Sequence, residues 1–170
     1  TNPPSETQLR VVFDLDAVLF SDESEKVFQE HGESKFLEYE KENRDKPLDD
    51  GPIKPFAMAL GGMQKKFGCT EDKSCPIRTY LVTSRNAEAG ERALKTLRHW
   101  GLQINESFFM AGAPKDEILK AINPHIFFDD KKSHIDGARM SGTPSGHVPN
   151  PSRGCNKTEQ ESAKAHLFEC

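Results

Sequence analysis

No apolar run in this 170-residue chain approaches the ~18 residues that a membrane-spanning helix needs, and its first residues lack the basic, apolar and small-residue order of a secretory leader. An excess of basic charge is missing too. There are 23 Lys and Arg against 27 Asp and Glu, a net charge of -4 and a pI near 5.9. Sequence-independent nucleic-acid binding requires clustered positive charge, so nucleic acid and membrane are both excluded as expected partners. The four cysteines, Cys69, Cys75, Cys155 and Cys170, show no C-x-x-C pair. That spacing argues against a zinc site and leaves free thiols in a reducing compartment as the expectation. There is no internal repeat. With 35% hydrophobic residues and a mean hydropathy of -0.70, one compact domain is expected, with a modest core to which 11 Phe contribute much of the large apolar area.

What is present is an alternation of short apolar runs with helical periodicity. Leu9 to Phe13 reads as a buried strand ending at Asp14. From Ser21 to Asp50 the chain is charged, and Val27, Phe28, Phe36 and Leu37 suggest two short amphipathic helices broken near Gly32. Lys46 to Pro55 reads as a loop, and Phe56, Leu60, Met63 and Phe67 then recur at helical spacing. Ile77 to Val82 is a second strand ending at Thr83-Ser84-Arg85. Ala93, Leu94, Leu97 and Trp100 mark a helix face that stops at Gly101. Phe108 to Ala111 is a third strand, and Pro114 opens a helix with Ile118, Leu119 and Ile122 inward. His125 to Phe128 is a fourth strand ending at Asp129-Asp130. Ile135, Ala138 and Met140 suggest a helix, and a weak strand lies near His147-Val148. Such an order predicts βαβ units, an α/β fold with a mostly parallel sheet and helices on both faces. Residues 150–170 read as a polar C-terminal tail.

In an open parallel sheet, ligands bind beyond the carboxyl ends of the strands. Four polar clusters fall there: Asp14 with Asp16, Thr83 with Ser84 and Arg85, Lys115, and Asp129 with Asp130. Each alone is weak, because two aspartates one residue apart are common by chance. Together they describe a chemistry. Converging carboxylates cannot all ionise without a compensating cation, and oxygen-only donors favour Mg²⁺. A carboxylate facing a metal-bound phosphate can act as nucleophile, with a lysine and a hydroxyl to hold the phosphoryl oxygens. The order also differs from phospho-acceptor signalling domains, in which the acidic groups precede the hydroxyl and the lysine.

Asp14-Leu15-Asp16-Ala17-Val18, Thr83, Lys115 and Asp129-Asp130 resemble the four motifs of the haloacid dehalogenase (HAD) superfamily. More narrowly, FDLDAVLFSDESE, CPIRTYLVTSR, ALKTLRHWGL, FFMAGAPK, PHIFFDD and the GT…HVP ending are similar to the cytosolic 5'-nucleotidase I family, over roughly residues 8 to 149. The resemblance implies a three-layer HAD-like (Rossmann-like) catalytic domain over 8–149, with residues 21–76 forming a small helical cap inserted after the first strand. It implies Mg²⁺-dependent hydrolysis of nucleoside 5'-monophosphates, AMP above all, in the cytoplasm, and a homo-oligomer. Asp14 is then the phosphorylated nucleophile and Asp16 the general acid and later base. Thr83, Ser84 and Lys115 bind phosphate, and Asp14, Asp16 (through its backbone carbonyl), Asp129 and Asp130 bind the metal. Ala17-Val18 replaces the Gly-Thr of the wider superfamily. The family normally carries a substantial region before the first strand, and the residues after Pro149 do not match its continuation. Two alternatives therefore stand beside this reading: a HAD phosphatase for another small phosphate ester, and a catalytically impaired nucleotide-binding or interaction fragment.

Blander roles compete at several positions. Thr83 or Ser84 could simply cap the following helix. Arg85 reads first as a solvated surface charge, and His134 and His147 as structural. Phe28, Phe36 and Tyr39 could stack on a base or fill the core.

Overall fold

In the computed structural model of the protein, residues 3–69 and 75–150 are described. The elements run β1 (Leu9–Phe13), α1 (Glu23–Glu42), α2 (Lys54–Lys66), β2 (Ile77–Thr83), α3 (Ala87–His99), β3 (Glu106–Phe109), α4 (Asp116–Ile122), β4 (Ile126–Asp129), α5 (Lys132–Met140) and β5 (Ser145–His147). All strand pairs are parallel, in the order β3-β2-β1-β4-β5. The chain steps one way from β1 to β3, then crosses to β4 and steps the other way. Right-handed crossovers must therefore put the early and late helices on opposite faces.

The core shows that division. Alternate strand residues point to opposite faces. Val11, Phe13 and Leu81 pack with Ala57 and Leu60 of α2 and with Ala93 and Leu97 of α3. Val12, Tyr80, Val82 and Phe127 pack with Leu119 and Ile122 of α4 and with Ile135 and Ala138 of α5. The result is a three-layer α/β fold, a parallel sheet with helices on both faces, whose direction of winding reverses between β1 and β4.

α1 is two helical arms rather than one rod. Gly32 holds φ 80° and ψ 179°, a backbone conformation open essentially to glycine alone. Ser24 Oγ donates to Glu40 Oε1 at 2.6 Å, Tyr39 bonds Glu23, and the Phe28 and Phe36 rings meet edge to face at 5.8 Å. In a straight helix Ser24 and Glu40 would stand ~24 Å apart, so the chain doubles back at Gly32. The break expected there is present.

Several expectations need correction. On α2 the buried residues are Ala57, Leu60 and Gln64, while Phe56, Met63 and Phe67 of the expected stripe are exposed. Gln64 can turn inward because its amide donates to Ile77 O and Asn105 Oδ1, both at 3.0 Å. Met140, at 91% exposure, is outside the core. β3 stops at Phe109 because Ala111 and Gly112 take positive φ and form a turn. The thiols of Cys69 and Cys75 are joined in a disulfide rather than free. α2 ends beside the start of β2, where the Gln64 bond to Ile77 O already holds the two elements together, so the two cysteines come within reach. Cys155, Cys170 and the polar tail from residue 151 lie outside the described residues.

Candidate active site

The reversal of winding leaves a cleft between the ends of β1 and β4, the place where open α/β sheets bind ligands. The Asp14 N–H donates to Phe128 O at 2.9 Å, which holds the end of β1 against β4 and brings Asp14 near Asp129. After Asp14 the backbone turns sharply: Ala17 sits at φ 60° and the Phe20 N–H closes on Leu15 O. A strap over residues 49–53 pins this turn. Ser21 N–H donates to Asp49 O, Gly51 N–H to Leu19 O and Ile53 N–H to Val18 O.

On the other side, the loop after β3 folds back onto the loop after β2. Ala111 N–H donates to Arg85 O and Gly112 N–H to Ser84 O. This places Lys115 at the start of α4, beside Asp14. Its ammonium lies 3.0 Å from Asp14 Oδ1 and 2.7 Å from Asp129 Oδ2. The Asp129 carboxylate also accepts from the Lys131 N–H at 2.8 Å and contacts His134 Nδ1 at 2.9 Å. One carboxylate oxygen from each of Asp14, Asp129 and Asp130 lies within 4.8 Å of the others, and all three residues are buried.

The electrostatics match an anionic cluster short of positive charge. Burial, with the neighbouring Asp129 and Asp16, pushes the Asp14 carboxyl from 3.8 to about 7 despite Lys115. For Asp129, burial works upward but is outweighed by the His134 hydrogen bond and the Lys115 ammonium, which hold it at about 2. Burial opposes the Lys115 charge, yet Asp14 and Asp129 raise its pKa above the ordinary lysine value. Four carboxylates thus share this rim with Lys115 and Arg85. A divalent cation among Asp14, Asp129 and Asp130 fits both the donor type and the missing charge.

Above the cluster opens a cleft of about 460 Å³, bordered by Asp14, Asp16, Thr83 and Ser84 on the sheet side and by Phe28 and Phe36 from α1. Of the expected site residues, Asp14, Asp16, Thr83 and Ser84 border the cleft, while Lys115, Asp129 and Asp130 lie buried beside Asp14 and off the cleft lining. The helix-capping alternative for Thr83 and Ser84 does not hold, since Asn86 Oδ1 caps α3 by accepting the Ala89 N–H at 2.9 Å. Thr83 is buried, and its hydroxyl oxygen accepts the Arg85 N–H at 3.2 Å. Tyr39 does not reach the cleft; its ring lies against Arg92.

Arg85 overturns the expectation of a solvated charge. It is 4% exposed, and its guanidinium grips both oxygens of Asp16 while also reaching Glu40. Burial works against this cation, but Asp16 and Glu40 hold its pKa above the ordinary arginine value. Its place straight after Thr83-Ser84 was the available signal. Nothing near Glu40 in the chain marks it, because its partners lie 16, 45 and 52 positions away. His134 is also nearer the chemistry than expected, bonded to Asp129 and bordering the cleft. His147 bonds Asp130 O and supports the loop.

The 5'-nucleotidase family profile matches residues 1–154. Human cytosolic 5'-nucleotidase 1B is 57% identical over 140 residues, covering 81% of this chain and 23% of that protein, so the chain spans less than a quarter of its relative's length. Two solved structures share the fold at low identity. One is a chain of the Pnkp1/Rnl/Hen1 RNA repair complex, with a TM-score of 0.56, 16% identity, and coverage of 88% of this chain and 45% of that one. The other is a Thermotoga maritima protein assigned as a beta-phosphoglucomutase, with a TM-score of 0.51, 20% identity, and coverage of 84% and 88%.

Proposed function

Because this chain belongs to the 5'-nucleotidase family, we propose that it hydrolyses nucleoside 5'-monophosphates, AMP foremost, to nucleoside and phosphate in the cytoplasm. The observation that carries this reading is the buried group of Asp14, Asp129 and Asp130 around Lys115, at the foot of a cleft with aromatic side chains at its mouth.

In this mechanism the Asp14 carboxylate attacks phosphorus and the P–O bond to the nucleoside breaks. Asp16 gives a proton to the departing 5' oxygen, leaving an aspartyl-phosphate. Asp16 then takes a proton from the water that attacks this intermediate, which frees phosphate and restores Asp14. Lys115, Ser84 and the Thr83 hydroxyl hold the phosphoryl oxygens as charge shifts among them. Asp14, Asp129 and Asp130, with the backbone carbonyl of Asp16, would hold Mg²⁺. The ion, when bound, supplies positive charge to the phosphoryl group. The arms of α1 serve as the cap: Phe28 and Phe36 offer flat apolar faces to a base, while α2 belongs to the core layer.

Phosphate release from AMP with Mg²⁺ tests the reading. Wild type is expected to turn over, and Asp14→Asn to lose activity by at least ~10³-fold, since the nucleophile has no substitute. Equal rates would remove Asp14 from its role. Ranking kcat/KM across nucleotides and other small phosphate esters decides the substrate class.

A further inference from the structure

Resting on the hydrolytic reading above, we infer that Arg85 and Glu40 are positioning residues that set the aim of the Asp16 carboxylate and tie it to the cap. Asp16 stands on a sharp turn at the border of the cleft. Two contacts fix its orientation there. Arg85 Nε meets Asp16 Oδ2 at 2.9 Å and Nη2 meets Oδ1 at 2.6 Å, a two-point grip that fixes the plane of the carboxylate as one contact cannot.

Arg85 is held in turn. Its Nη1 donates to Glu40 Oε2 at 2.6 Å and to Ala89 O at 2.8 Å, and the guanidinium lies 5.4 Å from the centre of the Phe36 ring. Glu40 is itself fixed by Ser24 at 2.6 Å and by Arg92 Nη1 at 3.1 Å. Arg92 continues to Lys46 O at 2.9 Å. Glu40, Arg85 and Arg92 are buried, so loss of one partner leaves a poorly solvated charge behind.

Stability alone explains this arrangement poorly, because buried ion pairs commonly do no better than apolar side chains of similar size. Its layout explains more. The chain of contacts runs from both arms of α1, through the loop after β2, to a carboxylate at the rim of the cleft. The position of the cap and the aim of Asp16 are therefore one mechanical unit.

Steady-state kinetics on AMP and crystal structures of variants test this. Arg85→Ala is expected to lower kcat on the order of 10²-fold with KM within about threefold, the signature of a misplaced group rather than lost binding. Arg85→Lys, which keeps charge but loses the two-point grip, should recover part of that loss, and Glu40→Gln should lose about tenfold. In the Arg85→Ala crystal structure the Asp16 carboxylate should leave its place while Asp14, Lys115 and Asp129 keep theirs. If Arg85→Ala does not fold, Arg85→Gln combined with Glu40→Gln removes both charges together and gives the same two readouts. Wild-type kcat in the variant, a change in KM alone, or an unmoved Asp16 would each overturn the inference. A wild type that releases no phosphate from any nucleotide would sink the nucleotidase reading by itself, and the position of Asp16 in the variant crystals would still decide this one.

Discussion

Asp14 and Gly51 show two ways in which one position governs this site. Gly51 lies under the catalytic turn so closely that an added Cβ would come 2.3 Å from Phe20 O and 2.4 Å from Val18 O. These are backbone atoms pinned by the strap, and they cannot swing aside. Gly51→Ala is expected to cost about 2 kcal/mol, with a lower midpoint in urea and reduced activity as the turn carrying Asp16 shifts. An unchanged midpoint would show that the strap yields. At this scale the sequence was legible where function depends on a position along the chain. Asp14, Thr83 and Asp129 sit at the ends of β1, β2 and β4, and Lys115 at the start of α4, places that the alternation of apolar runs and helical periodicity marks. Arg85 and Glu40 were illegible because the burial of a charge depends on partners dozens of residues away. Asn86 was passed over as a cap because Thr83 and Ser84 beside it could cap equally well.

Among the elements, α1 links folding to recognition. Its two arms share one turn, at Gly32, where open space surrounds the α-carbon and only the backbone conformation demands glycine. Gly32→Ala is expected to cost about 1–3 kcal/mol of stability and to raise KM for AMP and lower kcat together, because Phe28 and Phe36 flank the turn while Glu40 on the second arm holds Arg85 against Asp16. Thermal unfolding and steady-state kinetics on the same variant check both parts. The break in α1 was readable, since glycine between two amphipathic stretches signals an interruption. The buried face of α2 was not. Phe56, Met63 and Phe67 follow helical spacing as well as Ala57 and Leu60 do, and two hydrogen bonds from Gln64 decide which way the helix rolls. The disulfide between Cys69 and Cys75 was hidden for a related reason: it depends on where α2 ends relative to β2, which spacing does not reveal.

Over the whole molecule, the reversal of winding between β1 and β4 converts dispersed aspartates into one anionic rim. The parallel sheet and its two helical layers followed from the alternation of elements, because crossover handedness leaves few other arrangements. The rim also has a linkage consequence. In the metal-free protein the folded Asp14 keeps its proton up to about pH 7, whereas the unfolded chain loses it near 3.8. The Asp14 contribution to stability is therefore fully present below pH 3.8 and lost as pH rises through about 7. Asp129, held at about 2, acts oppositely: its contribution is present above the ordinary carboxylate value and lost as pH falls towards 2. A cation binds the deprotonated carboxylate, so the rise in melting temperature given by Mg²⁺ is expected to be larger at pH 8.5 than at pH 5.5. Equal shifts at both values would mean that the ion does not engage Asp14.

The most direct measurement is a crystal structure of the protein soaked with Mg²⁺ and beryllium fluoride, a mimic of a phosphoryl group. The account expects beryllium fluoride on the Asp14 carboxylate, Mg²⁺ beside it among Asp129 and Asp130, and Lys115 turned toward the fluorides. Beryllium fluoride found elsewhere, or Asp14 left bare while Mg²⁺ binds away from Asp129, would contradict it.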